Sequence, residues 1–149
     1  MQLHTEIEGP DSGYPVLCLH GHPGSGRAMS VFTEALAKLG FRTYAPDMRG
    51  YGNSKTRYPF EMTRHLDDLE ELLTRFKVEK CLVLGWSLGG IMAKELSLRR
   101  PQTVEGLVLI GTAARPRGSH PPISLMDNVL TGIAGALNYV LPGWKGAIA

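Results

Sequence analysis

Apolar residues recur along the chain in two alternating patterns. Short continuous apolar runs are typical of strands buried on both faces of a parallel sheet. Such runs, with one weakly alternating stretch at the start, predict strands at residues 2–8, 15–20, 41–45, 81–84 and 106–110. Apolar positions spaced by three and four predict helices at residues 27–39, 63–76 and 91–99. The alternation indicates an α/β fold, in which helices cover both faces of a parallel sheet through right-handed crossovers.

Polar or reactive side chains fall at the carboxyl ends of four of the predicted strands. They are His20, Asp47, Ser87 and Thr112. The carboxyl ends of parallel strands meet at one edge of a sheet, and ligands of such sheets bind there. The sequence therefore predicts that these four positions converge on one site.

Residues 85–89, GWSLG, stand between a predicted strand and a predicted helix. In this setting the serine of a G-x-S-x-G motif occupies a tight, strained turn with its hydroxyl above the sheet. Gly85 and Gly89 leave room where side chains would collide with a neighbouring strand or helix. The first helical N–H groups, beginning with that of Leu88, lack helical partners and favour an anionic oxygen on Ser87. The alternative is an ordinary strand-to-helix turn with a small residue at its tip.

Composition and charge exclude several classes of function. The net charge is +2 and the charges are interspersed, so nothing indicates nucleic acid as a partner. Residues 128–144 form the longest uncharged stretch, which is too short and too broken to span a membrane. The first residues lack the pattern of a secretion signal. Cys18 and Cys81 occupy strands at different heights, so we expect two buried thiols without a disulfide and a cytoplasmic location.

The pattern changes after Thr112. Residues 113–122 contain three prolines and form a predicted linker, and residues 124–141 form an apolar helical segment without a sheet pattern. We therefore expect two parts, a core at residues 1–114 and a linker with the start of a helical cap at residues 115–149. A broad apolar face on this cap indicates an apolar substrate, and it consists of Val129, Leu130, Ile133, Leu137 and Val140.

Three motifs resemble those of the α/β-hydrolase fold superfamily. LCLHGHPGSG resembles its oxyanion loop, APDMRGYGNS its next strand-end loop and LVLGWSLGG its nucleophile elbow. The resemblance covers residues 3–114 and implies a serine hydrolase that acts on a small-molecule carboxylic ester or a related acyl substrate, without a metal or another cofactor. It implies that Ser87 is the nucleophile. It also implies an oxyanion hole formed by the backbone N–H groups of His22, directly after Gly21, and of Leu88.

The same resemblance exposes a gap. The acid and the histidine of this family follow the serine in that order, but only three acids and His120 follow Ser87, and none has the expected placement. The acids are Glu95, Glu105 and Asp127. We therefore expect an incomplete core that lacks its later strands, as in the N-terminal part of a longer hydrolase, a truncated gene product or an experimentally shortened chain. By itself the 149-residue chain is predicted to be inactive; the alternative function is a non-catalytic remnant.

The incomplete sheet has a second consequence. Without later strands, the strand predicted at residues 106–110 is an open, apolar edge. We therefore expect the chain to associate with itself.

Several further side chains receive structural interpretations. His20 is expected to brace its loop, Asp47 and Arg49 to pair with each other, and Trp86 to pack. The side chain of His22 either lines the site or belongs only to the loop. The remaining histidines are expected to be solvated, namely His4, His65 and His120.

Residues 21–28, GHPGSGRA, nearly match a phosphate-binding loop. Arg27 replaces its lysine and Ala28 replaces its magnesium-binding hydroxyl. Nucleotide binding is therefore disfavoured.

Overall fold

Strands and helices alternate through residues 1–112, the part of the chain that the computed structural model describes. These residues fall within the first unit of the chain, Met1–Ala114; the predicted linker and cap lie outside them. None of the helices in this part is long and apolar enough to cross a lipid bilayer. A 3-10 turn, Gly26–Met29, precedes the first helix. In chain order the elements are β1 Thr5–Glu8, β2 Pro15–Leu19, α1 Ser30–Lys38, β3 Arg42–Pro46, α2 Thr63–Arg75, β4 Cys81–Trp86, α3 Leu88–Arg99 and β5 Val104–Ile110.

The strands form one sheet in the order β1-β3-β2-β4-β5. β3, β2, β4 and β5 are parallel, whereas β1 runs antiparallel to β3. The prediction of a parallel sheet is therefore right for the four apolar strands and wrong for β1. β1 carries Glu6 and Glu8 and is not buried. Such a strand requires cover on one face only, which an antiparallel edge position provides.

The core lies on both faces of the sheet, as predicted. Successive side chains of β2 point to opposite faces, so Leu17 and Leu19 join one cluster while Val16 and Cys18 join the other. The first cluster also contains apolar side chains of α2 and α3, and partly buried apolar side chains of α1 pack against the second. Burial on both sides explains why β2 is a continuous apolar run rather than an alternating one.

Helix α3 begins three residues before its predicted start. Gly89 and Gly90 have low helix propensity, so the periodic pattern placed the start at Ile91. In the structure the Ser87 carbonyl accepts hydrogen bonds from the N–H groups of Gly90, at 3.0 Å, and of Ile91, at 3.4 Å. These bonds close the first turn directly after the strand.

Both cysteines are free and buried. Cys18 lies opposite Leu84, three residues further along β4 than Cys81, which confirms that the thiols lie at different heights. Burial raises the pKa of the Cys18 thiol to about 12 and that of Cys81 to about 11. The two side chains therefore stay protonated and act as small apolar packing groups.

β5 lies at one edge of the sheet formed by residues 1–112. Consecutive side chains along it are exposed: Leu107 by 37%, Val108 by 48% and Leu109 by 41%. The open apolar edge predicted at residues 106–110 is therefore present in this part of the chain.

Candidate active site

Ser87 occupies the junction of β4 and α3 in a strained backbone conformation. Its φ is 52° and its ψ is −115°, a region that L-residues rarely adopt and that costs about 1–3 kcal/mol. The Ser87 N–H donates to the carbonyl oxygen of Ile110 at 2.9 Å, which ties the turn to the end of β5. Strain of this kind persists only where the surroundings impose it, so the position of the half-buried Ser87 is strongly determined.

The glycines on either side of Ser87 make this turn possible. A Cβ on Gly89 would lie 2.1 Å from the carbonyl oxygen of Leu19, in the neighbouring strand. A Cβ on Gly85 would lie 2.5 Å from the carbonyl oxygen of Gly89, and one on Gly90 would meet the side chain of Thr112 at 2.5 Å. The helix and the strands thus approach closely enough to leave no space for side chains.

The loop after β2 lies against Ser87. A Cβ on Gly21 would be 3.1 Å from the Ser87 Cβ and 3.8 Å from its hydroxyl oxygen. His22 follows directly, and its exposed imidazole has the hydroxyl of Tyr51 2.8 Å from Nδ1. The structure therefore brings the glycine-rich loop and the serine together, as the convergence of strand ends predicts.

The N-terminus of α3 lies beside Ser87 as well. The N–H groups of Leu88 and Gly89 precede the first helical hydrogen bond, which Gly90 donates. The aligned peptide dipoles place partial positive charge at this end of the helix. Negative charge that develops on a group bonded to the Ser87 oxygen would therefore lie in a favourable field.

His20 is fully buried and both of its ring nitrogens are engaged. Nδ1 lies 2.7 Å from the carbonyl oxygen of Gly21, and Nε2 accepts the Met48 N–H at 3.0 Å. A carbonyl oxygen only accepts, so Nδ1 carries the proton. Burial lowers the pKa of His20, although the bond to Gly21 and the charge of Asp47 oppose this shift. His20 therefore braces its loop, as expected, and has no free nitrogen with which to deprotonate Ser87.

The predicted pairing of Asp47 with Arg49 is wrong. The buried Asp47 carboxylate accepts the backbone N–H groups of Gly26 and Asn53, both at 2.7 Å, and so joins the two strand-end loops. Arg49 instead donates two hydrogen bonds to Asp68 of α2, at 2.6 and 2.7 Å. Asp68 lies on the helix stripe that faces the core, where a carboxylate needs a cationic partner, and Arg49 supplies it.

The prediction that His65 is solvated is also wrong. His65 is 3% exposed and its ring packs edge-on against Phe60 at 5.2 Å. Burial lowers its pKa, and no hydrogen-bond partner lies at Nδ1. The sequence carried a signal for this burial, because His65 precedes Leu69 by four residues and Leu72 by seven and thus belongs to the apolar stripe of α2.

In the part of the chain that the structure describes, the other groups near the strand ends do not complete a catalytic set. Glu105 pairs with Lys80 at 2.7 Å near the start of β5, whereas Ser87 contacts the other end of that strand. Trp86 is 41% exposed beside the serine, so it presents an aromatic surface rather than packing fully. His120 and Asp127 lie outside the described residues. Within residues 1–112, no group of three or more His, Cys, Asp or Glu side chains is arranged to hold a metal ion.

The glycine-rich loop is not arranged as a phosphate cradle. The Gly26 N–H, which such a loop would direct at an anion, donates to the Asp47 carboxylate instead. A carboxylate at this position repels phosphate, which agrees with the interpretation that disfavoured nucleotide binding.

Comparison with known proteins agrees with this architecture. Residues 14–141 match the family described as alpha/beta hydrolase fold. The chain is 30% identical to proline iminopeptidase PfmaB of Pestalotiopsis fici over 136 residues, which are 89% of this chain and 48% of the relative. It is 29% identical to a pimeloyl-[acyl-carrier protein] methyl ester esterase of Vibrio campbellii over 130 residues, 87% of this chain and 48% of the relative.

One similar solved structure is a marine microorganism esterase, which superposes with a TM-score of 0.73 at 25% sequence identity. The aligned region covers 98% of this chain and 54% of the esterase chain. The chain thus spans about half the length of the relatives that it matches. The family match extends over most of the chain. The chain belongs to the alpha/beta hydrolase fold family.

Proposed function

We propose that the protein is a serine hydrolase that cleaves a carboxylic ester or a related acyl compound. Ser87 is the nucleophile, and the backbone N–H groups of His22 and Leu88 form the oxyanion hole. The observation that carries this proposal is the strained Ser87 at the start of α3, with Gly21 packed directly against its side chain. The named relatives include an esterase and a peptidase, and both names describe acyl transfer to water.

The reaction follows from this geometry. The Ser87 oxygen attacks the acyl carbon, a base takes its proton, and the carbonyl electron pair moves onto the oxygen that becomes the oxyanion. Two fixed N–H donors stabilise that charge, and one such donor contributes about 3–4 kcal/mol to lowering the barrier. The electron pair then returns from the oxyanion, the bond between the acyl carbon and the leaving group breaks, and the leaving group takes the proton from the base. Water hydrolyses the acyl–Ser87 bond, which releases the acid and restores the serine hydroxyl.

The substrate is proposed to be small and to have an apolar part. The exposed Trp86 beside Ser87 supports an apolar contact surface, and the apolar pattern predicted for the cap supports it independently. A cytoplasmic location is proposed on the two free, buried thiols, because disulfides are rare in that compartment.

Covalent labelling tests the nucleophile directly. A fluorophosphonate probe applied to the protein as its complete gene encodes it should modify Ser87, identified by peptide mass spectrometry. Ser97→Ala, which removes another serine from α3, is the matched control and should label like the wild type, whereas Ser87→Ala should not label. If the wild type shows no modification at Ser87, the proposal is wrong.

One observation favours a second candidate, the non-catalytic remnant. The imidazole hydrogen bonds that histidines of residues 1–112 make go to Glu6, Gly21, Met48 and Tyr51, and none goes to Ser87. Sequencing the gene beyond Ala149 separates the candidates. An open reading frame that continues with an aspartate and then a histidine after strand patterns supports the hydrolase, and a stop codon supports the remnant.

The exposed β5 edge is proposed to cause self-association of the 149-residue chain. Unpaired strand edges with apolar side chains template pairing with another chain. Sedimentation velocity should show dimers or larger species that Val108→Lys shifts toward the monomer. Val31→Lys, at a position 75% exposed on α1, is the control and should leave the distribution unchanged. A wild-type chain that remains a monomer at high concentration would contradict the proposal.

A further inference from the structure

We propose that Tyr51 is a positioning residue for the oxyanion hole. Its hydroxyl holds the His22 imidazole and thereby fixes the Gly21–His22 peptide beside Ser87. The inference rests on the proposed function, because it explains how one of the two proposed N–H donors is kept in place.

The Gly21–His22 peptide needs an external restraint. Gly21 has no side chain and therefore places little limit on its own φ and ψ. His20 provides one restraint, because its Nδ1–H donates to the Gly21 carbonyl oxygen at 2.7 Å. That oxygen belongs to the same peptide as the His22 N–H. In a trans peptide the two groups point in opposite directions, so the bond from His20 sets the direction of the N–H.

Tyr51 provides the second restraint, through the side chain of His22. Its hydroxyl lies 2.8 Å from His22 Nδ1. Its ring meets the His22 ring edge-on at 5.6 Å and the His20 ring edge-on at 5.0 Å. The Gly21–His22 peptide, which carries the proposed donor, is therefore held in two ways. His20 binds its carbonyl oxygen, and Tyr51 binds the side chain of His22.

Tyr51 suits this role because its own position is firmly set. Its N–H donates to the Met48 carbonyl at 2.9 Å, and its carbonyl accepts the Ser54 N–H at 2.8 Å. Its half-buried ring packs against the larger core cluster. His22, in contrast, is exposed. The hydrogen bond to Tyr51 thus connects an exposed loop residue to a rigid part of the molecule.

Tyr51→Phe removes the hydroxyl and keeps the ring. Complete loss of an oxyanion donor lowers kcat by about 100- to 1,000-fold, so a misplaced donor should lower kcat by about tenfold. KM should stay within about twofold of the wild type, because the donor acts on the transition state. Tyr58→Phe, at a position 80% exposed, is the matched control and should leave both constants unchanged. The measurement uses an ester substrate and the protein encoded by the complete gene.

His22→Ala provides a second route to the same answer, since it keeps the backbone N–H and removes only the side chain that Tyr51 holds. It should lower kcat to the same extent as Tyr51→Phe, and the double variant should be no slower than either single variant. If Tyr51→Phe does not fold, His22→Ala decides by itself: a wild-type kcat then overturns the proposal.

Two further outcomes overturn it. One is a Tyr51→Phe variant with wild-type kcat, and the other is a double variant whose loss is the product of the single losses. Fluorophosphonate labelling of the wild type separates this inference from the proposed function. If Ser87 is labelled but Tyr51→Phe has wild-type kcat, only the role of Tyr51 is rejected. If the wild type is not labelled at Ser87, the proposed serine hydrolase function is rejected.

Discussion

Ser87→Ala is expected to lower the kcat for p-nitrophenyl ester hydrolysis by about 10,000- to 1,000,000-fold in the protein encoded by the complete gene. Losing a serine nucleophile removes the covalent step, and what remains comes from the oxyanion donors and from binding. Substrate affinity should change little, because the alanine side chain occupies part of the same space. Steady-state kinetics with a titrated active-site concentration measures the effect.

The control for this prediction is Ser97→Ala, which should retain wild-type kcat. Ser97 lies on α3, where its hydroxyl donates to the Lys94 carbonyl at 2.7 Å. A Ser87→Ala variant that keeps more than about a tenth of the wild-type kcat would contradict the assignment of the nucleophile.

Gly89→Ala is expected to lower the free energy of unfolding by about 3 kcal/mol or more. The new Cβ would lie 2.1 Å from the Leu19 carbonyl oxygen and 2.7 Å from that of His20. Both atoms belong to the backbone at the end of the central strand β2, so they cannot rotate away as a side chain would. Helix propensity alone predicts the opposite effect, an increase in the free energy of unfolding of up to about 1 kcal/mol. Urea denaturation of the variant distinguishes the two.

Gly106→Ala is the matched control for that experiment. A Cβ at Gly106 would meet only Cδ2 of Leu82, at 3.0 Å, which is the end of a flexible side chain. Gly106→Ala should therefore lower the free energy of unfolding by less than about 1 kcal/mol. If the two variants are equally stable, the close approach of α3 and β2 does not limit the fold as argued.

The candidate site shows where prediction from sequence stops. The motif GWSLG predicted a strained serine between a strand and a helix, and the structure has Ser87 there with φ of 52°. The partner of Arg49 was predicted wrongly, because Asp47 is near in sequence whereas the actual partner, Asp68, is near only in space. His65 was predicted wrongly for a related reason. Its polar imidazole favoured the prediction of a solvated side chain. His65 nevertheless lies on the apolar stripe of α2, and the fold buries that stripe.

The sequence by itself determined the alternation of strands and helices, the strand-turn-helix around Ser87 and the family of the fold. These features depend on residues within a few positions of one another, and backbone preferences and apolar spacing express them directly. Tertiary structure alone decided the antiparallel direction of β1 and the contacts that hold the loops around Ser87. The Arg49–Asp68 pair joins residues 19 apart and the His22–Tyr51 contact residues 29 apart. Such pairs form only when the packed sheet and helices bring separate loops together, and no local pattern encodes that distance.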